Sequence, residues 1–303
     1  MRLVSLLPSA TEIIHVLGLT AHLVGRSHEC DYPPEIQHLP VCTAPKFDPT
    51  GDSLSVHHRV MDVLTQALSV YELNIKELQN LQPTHILTQA QCDVCAVSLN
   101  DVEQAVAEYL TPAPKILSLQ PQTLAQVWQD MIQVGNVLGI DAAPVVTCLQ
   151  QRVTQIQSAT QGCPRPRVLC IEWLNPLMSA GNWVPELVAL AGGHPLLAQT
   201  GHHSPWLTWA EIEAADPDII VVMPCGYDLH RTIAEWQSSP HPWHRLRARM
   251  YATDGNAYFN RPGPRLVNSL EILAEIFHPE LEFGYQGNAW YDLGFQPTPQ
   301  SIF

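Results

Sequence analysis

One phrase occurs twice in this chain, and it constrains the fold more than any other feature. LNIKELQNLQPTHILTQAQC begins at Leu73, and LTWAEIEAADPDIIVVMPC begins at Leu207. Each runs from a leucine to a glutamate four residues later, an aliphatic residue, a proline ten after the leucine, a strand-like run and a cysteine. One residue of slip separates Cys92 from Cys225 in this register. A second pair keeps the same order: PSATEIIHVLG and WVPELVALAGG, in which Glu12 and Glu186 each precede a glycine by six residues. Two echoes in one order favour a duplicated lobe over a chance recurrence of a common α/β phrase.

The pattern around the echoes gives the fold class. Strand-like runs fall at Leu3–Leu7, Leu23–Ser27, His85–Gln89, Lys115–Ser118, Val168–Trp173, Ile219–Met223 and Met250–Ala252. Helical patterns lie between them, at Ala10–Leu17, Ser53–Tyr71, Leu99–Leu110, Pro185–Ala191, Trp209–Ala215 and Arg265–Phe277. This alternation predicts α/β architecture with mostly parallel sheets, and DIIVVMP is the continuous apolar run of a strand buried on both faces. With 303 residues the chain fits two Rossmann-like lobes better than one core. The expected division is an N-terminal lobe over 1–120, linker helices over 121–164, a C-terminal lobe over 165–278 and a tail over 279–303. In the linker, Leu124–Leu138 closes at Gly139, and Asp141 is placed to cap a long helix ending near Ala159.

Charge and cysteine usage narrow the function. A net charge of −14 leaves no basic stripe to neutralise phosphates, which argues against nucleic acid and against anionic membrane surfaces. No run of eighteen apolar residues spans a membrane. Eight cysteines in a chain of this length do not form the disulfide framework of a small secreted domain. The opening MRLVSLLPSATEI is too short in its apolar run for a signal peptide, and Ser9 with Glu12 reads as a helix N-cap and capping box. The expectation is a cytoplasmic protein with reduced thiols.

Taken together, RLVSLLPSATEIIHVLG, VGRSHECDYPPE, IEWLNPLMSAGNWVPELVALAGG, DPDIIVVMPCG and YFNRPGPRLVNSLEILAEI resemble the helical-backbone class of periplasmic-type substrate-binding proteins. That class holds binders of vitamin B12, haem, siderophores and metals. SLLPSATEI is similar to its cobalamin-binding branch, without an export signal. The resemblance implies two α/β lobes, a rigid interlobe helix, and a small-molecule or metal-chelate ligand, such as cobalamin or a related corrinoid, in the cleft between them. In exported relatives a surface glutamate on each lobe docks an ABC permease; Glu12 and Glu186 hold matching places, but without an export signal they read as capping or surface residues.

Ligands of open α/β sheets bind at the carboxyl ends of the strands, so the turns after the strands are the candidate site. Cys30, Cys92 and Cys95, with Cys225 from the other lobe, offer four thiolates suited to zinc or an iron–sulfur cluster. The same cysteines are equally readable as a redox or ligand-contacting set, or as buried small hydrophobes. His28, beside Glu29 and Cys30, is read either as a nitrogen donor to a metal or corrinoid cobalt or as a hydrogen-bonded loop residue. Trp173, Trp183 and Trp206 suit a flat macrocycle, with core packing as the alternative. Glu172 demands a partner if buried. Arg261 and Arg265, flanking Pro-Gly-Pro at a helix start, fit an anion or a structural turn. No nucleophile elbow, phosphate-binding loop or zinc-protease motif is present, so a non-catalytic binding protein is expected. A thiol-redox or iron–sulfur protein is the alternative.

Overall fold

Short apolar strands and amphipathic helices do alternate in the computed structural model, which describes residues 1–66, 69–89 and 98–294. The chain divides into two compact units: residues 1–121, 125–149 and 262–264 form the first, and 122–124, 150–261 and 265 onward form the second. Among the described residues, no helix is long and apolar enough to cross a membrane.

The N-terminal unit is built in the order β1 (Leu3–Ser5), α1 (Pro8–Val16), β2 (Leu23–Arg26), β3 (Thr43–Pro45), α2 (Ser53–Gln66), β4 (Tyr71–Leu73), α3 (Ile75–Leu81), β5 (His85–Gln89), α4 (Leu99–Tyr109), β6 (Lys115–Leu119) and α5 (Leu124–Leu138). Four of these strands form a parallel sheet in the order β2-β1-β5-β6, with Leu3 opposite both Leu23 and His85. Because β1 has β2 on one side and β5 on the other, the winding reverses at β1, which makes its carboxyl end the switch point where such sheets take ligands. Val4, Leu6, Leu78, Ile86, Val102 and Val106 pack the core beneath it. Strands β3 and β4 pair antiparallel as a separate ribbon, Thr43 opposite Leu73 and Pro45 opposite Tyr71.

Helix α6 (Ala143–Ala159) follows, its first turn met by Asp141 Oδ1, which accepts from the Ala143 N–H at 3.0 Å. The division between units falls within this helix, after Leu149. The C-terminal unit then contains β7 (Arg167–Leu174), β8 (Leu177–Ser179), α7 (Val184–Leu190), β9 (His194–Pro195), α8 (Trp209–Ala215), β10 (Ile219–Val222), α9 (Leu229–Ser238), β11 (Arg249–Thr253), α10 (Leu266–Phe277) and β12 (Trp290–Asp292). Its sheet runs β12-β11-β10-β7-β8, with β9 also paired to β7. Strands β7, β9, β10 and β11 are mutually parallel, and β8 and β12 add antiparallel edges. All four residues of β10 are buried.

The doubled phrase folds the same way at both places. Asn74 and Thr208 cap α3 and α8, their side chains accepting from the N–H groups of Glu77 and Glu211. Both helices end on a left-handed residue, Gln82 and Asp216, each at φ 43°. Pro83 and Pro217 follow, and β5 and β10 begin two residues on. The second echo likewise gives α1 and α7, each with proline in its first turn and a following glycine at positive φ, Gly18 and Gly192.

Three local expectations change. Helix α1 begins at Pro8 with Leu7 as its N-cap and no side-chain cap bond, so Ser9 lies inside the first turn and caps nothing; proline at the first helical position is the stronger start signal. Glu12 is 1% exposed, so it is not a surface residue. The helical pattern read to Tyr71 stops at Gln66 as described, and Tyr71 starts a strand. In the region read as tail, Trp290 is buried and meets Tyr251 edge-on at 5.5 Å, an apolar anchor that sets β12 against β11.

Candidate functional site

The turn after β2 carries His28, and its surroundings define the imidazole. Thr43 Oγ1, on β3, accepts the His28 main-chain N–H at 3.1 Å and lies 2.7 Å from His28 Nδ1, while donating its own hydrogen to Ser27 Oγ at 3.0 Å. In the arrangement where Thr43 gives its hydrogen to Ser27, it accepts from the ring, the histidine proton is on Nδ1 and the lone pair is on Nε2. The ring leans on Tyr71 at 5.0 Å between centroids, and the Tyr71 hydroxyl donates to Glu29 Oε1 at 2.8 Å. Burial, with the nearby Arg26 guanidinium as a second cause, pushes the His28 pKa down from 6.5 to about 4. At neutral pH His28 is therefore an uncharged nitrogen donor. Arg26 also frames the turn, donating to the carbonyls of Ser27, Cys30 and Gln37 at 3.0–3.1 Å.

The corresponding strand ends of the C-terminal unit carry a second group. Glu172, near the end of β7, accepts from Ser204 Oγ at 2.6 Å. Loss of water raises its pKa above the ordinary carboxylate value, opposed by the Ser204 bond, His203 and the Gly181 N–H. Gly181 closes this corner, since a Cβ there would stand 2.5 Å from His202 O and 2.6 Å from Ser204 N. Beside it Trp173 meets Tyr227 edge-on at 5.4 Å, and the Arg231 guanidinium lies 3.7 Å over the Tyr227 ring. The Cys225 N–H donates to the Glu172 carbonyl at 3.2 Å, so the end of β10 is joined to that of β7.

Measured against the sequence reading, the candidates separate. His28, Glu29, Glu172 and Trp173 stand at strand ends with defined partners. Trp183 is 6% exposed and donates its indole N–H to Phe259 O at 2.8 Å, so it is a core anchor and not a ligand face. Trp206 is 57% exposed, bridged to Met178 at the edge of β8. Arg261 is 4% exposed and donates to Asn256 Oδ1 at 2.9 Å, the structural-turn alternative rather than an open anion site. Glu186 does cap: its Oε2 accepts the Leu124 N–H at the start of α5, at 2.9 Å.

The thiols take different roles. Cys92 and Cys95 lie outside the described residues. Cys30 has no exposed surface and receives a hydrogen bond from Thr11 Oγ1 of α1 at 3.0 Å. Cys225 is a part-exposed free thiol. Burial holds Cys42 up at about 12 and raises Cys170 well above the usual thiol range, so both are inert at neutral pH. Among the described residues, neither Cys30 nor Cys225 belongs to a group of three ligand side chains.

Sequence reasoning missed Thr43, Tyr71, Ser204, Tyr227 and Arg231. Tyr71 was hidden in a helical pattern. The others signalled nothing, because each acts on a residue brought near only by folding, apart from Arg231, which faces Tyr227 one helical turn away on α9.

Comparison with known proteins bears on the family and the fold. Residues 3–248 match the family model described as periplasmic binding protein. A vitamin B12-binding protein of Photorhabdus laumondii is 22% identical over 280 residues, covering 91% of this chain and 87% of the relative. A periplasmic heme binding protein from Pseudomonas aeruginosa shares the fold with a TM-score of 0.70 at 19% identity, over 93% of this chain and 94% of that one. The periplasmic vitamin B12 binding protein of Vibrio cholerae does so with a TM-score of 0.62 at 20% identity, over 91% and 96%.

Proposed function

We propose that this chain, which belongs to the periplasmic binding protein family, binds a metal-centred macrocycle of the corrinoid or haem class and leaves it chemically unchanged. The family is one of binding proteins and not of enzymes. The observation that carries the proposal is His28, a neutral imidazole whose Nδ1 is held at Thr43 and whose Nε2 has no hydrogen-bond partner among the described residues. A histidine with one ring nitrogen held by a fixed acceptor presents the other to a metal. On binding, a metal–water bond breaks, a metal–Nε2 bond forms and the water leaves; no electron is transferred. Within the C-terminal unit, Trp173 and Tyr227 are aromatic groups of the kind that flat ligands require, with Glu172 and Arg231 as their polar neighbours. The named ligands of the vitamin B12-binding and heme-binding relatives support the same class. Cytoplasmic residence is part of the proposal, supported by three free thiols that are not buried, Cys148, Cys163 and Cys225, which suit a reducing compartment.

The test is an absorption titration with aquocobalamin and with haemin. Saturable one-to-one binding, with the band shift that follows replacement of water by an imidazole nitrogen, is expected for one of them. His28→Ala should lose that shift. Absence of saturable binding of both overturns the ligand class; binding with a shift that survives His28→Ala overturns the role of His28.

A further inference from the structure

A second group of ligand atoms lies away from the strand ends that hold His28 and Glu172. Cys163 Sγ, a ring nitrogen of His278 and a carboxylate oxygen of Glu280 all fall within 4.8 Å of one another. Cys163 follows the carboxyl end of α6, His278 is the C-cap of α10, and Glu280 lies two residues beyond it. All three belong to the C-terminal unit. They sit by the amino end of β7, which begins at Arg167, whereas Glu172 and Trp173 mark its carboxyl end.

The group is built rather than incidental. His278 is 2% exposed, and its Nε2 lies 3.1 Å from the Ala191 carbonyl. A carbonyl can only accept, so the proton is on Nε2 and the lone pair on Nδ1. Room for the imidazole depends on Gly192: a Cβ there would come within 2.7 Å of Nε2, and the residue holds φ +84°. The loop bearing Cys163 is fastened at both sides, by the Cys163 N–H to Thr160 O at 3.2 Å and by the Arg165 guanidinium to Gly193 O at 2.9 Å. The Leu281 N–H donates to His278 O at 2.8 Å and fixes the turn that presents Glu280. Two helix carboxyl ends, those of α6 and α10, bring their partial negative charge to the same place, which favours a cation; Cys163 Sγ itself stands 3.9 Å from Ala159 O.

We infer that Cys163, His278 and Glu280 form a binding site for a zinc-class divalent ion that ties the end of α6 to that of α10. The donor set is one thiolate, one imidazole and one carboxylate, a mixture that suits a borderline-soft ion, with water in the fourth tetrahedral position. The distances fit. Two tetrahedral ligands at zinc–sulfur and zinc–oxygen bond lengths stand about 3.5 Å apart, and Cys163 Sγ lies 3.9 Å from Glu280 Oε1. The remaining closure falls on Cys163 and Glu280, which are part-exposed and exposed, while the buried histidine stays in place. Binding releases the thiol proton to solvent and changes no oxidation state.

Cobalt(II) serves as the probe, because a thiolate ligand gives it an intense ligand-to-metal band. Titration of the full chain is expected to saturate at one ion carrying that band, and zinc should displace it. Cys163→Ser should abolish the band and Glu280→Gln should weaken binding at least tenfold, while Cys225→Ser, in the other group, should leave both unchanged. Both tested positions are at the surface, so thermal melting of the metal-free variants should match that of the parent and exclude misfolding. Lack of a stoichiometric thiolate band, or its persistence in Cys163→Ser, would overturn the assignment.

Discussion

Thr43 Oγ1 holds His28 twice, at 3.1 Å through the main-chain N–H and at 2.7 Å through ring Nδ1. The backbone bond places the residue and the ring bond goes with its tautomer, so one buried hydroxyl bears on both the position and the tautomer of the donor. Thr43→Val keeps the shape and removes the acceptor. It is expected to weaken corrinoid or haem binding by about 10- to 100-fold, the usual cost of losing a support behind a metal ligand. A titration of the variant beside the parent measures this, and equal affinity would show that the tautomer is not selected here.

The low pKa of His28 sets a pH range. A free imidazole would lose its lone pair to protonation near 6.5, whereas His28 keeps it down to about 4. Ligation should therefore persist as the pH is lowered through 6 and 5 and fail only around the lower value. The same shift acts on stability: the unfolded chain binds this proton first, so the contribution is full above 6.5 and is lost as pH falls through about 4. The pH dependence of the absorption shift, with His28→Ala as reference for melting, checks both.

Glu172 works in the opposite sense. Its carboxyl is raised by loss of water, so the folded state keeps the proton to higher pH than the unfolded chain. The stabilisation is full below the ordinary value of 4.5 and declines as pH rises through the raised one. Glu172→Gln retains an acceptor for Ser204 and removes the ionisation. The variant should gain melting temperature relative to the parent as pH is raised above that range, and a difference that does not vary with pH would contradict the assignment.

Gly181 and Trp183 test the frame. A methyl group at Gly181 meets main-chain atoms at 2.5 and 2.6 Å, which cannot swing aside, so Gly181→Ala should cost about 1–3 kcal/mol by urea denaturation. Trp183→Ala should cost about 3–5 kcal/mol, because the side chain is buried and its indole N–H is bonded to Phe259 O. At temperatures where it remains folded, the Trp183 variant should keep ligand affinity; a parallel Trp173→Ala should lose it with little loss of stability.

Much of the framework was legible because buried parallel strands are short, continuous and apolar. His85–Gln89 and Ile219–Val222 coincide almost residue for residue with the runs read from the sequence. The repeated phrase was informative for a physical reason, since cap, left-handed stop and proline encode the same local structure at Asn74–Pro83 and Thr208–Pro217. What stayed hidden depends on distance along the chain. Tyr71 reaches Glu29 across 42 residues, Ser204 reaches Glu172 across 32, and Cys163 meets Glu280 across 117. No local pattern records those meetings. Arginine and tryptophan misled for a related reason: Arg261 and Trp183 have the chemistry of ligand groups, but folding gave them partners inside the protein.

The most direct test is nitrogen-15 correlation spectroscopy of the histidine rings before and after addition of a diamagnetic cobalt(III) corrinoid. In the free protein at neutral pH, His28 should show a protonated Nδ1 and a lone-pair Nε2. On saturation Nε2 should shift as a metal-bound nitrogen while the Nδ1 proton stays in place. A His28 that carries its proton on Nε2, or whose Nε2 resonance does not move in a saturated complex, would contradict the account.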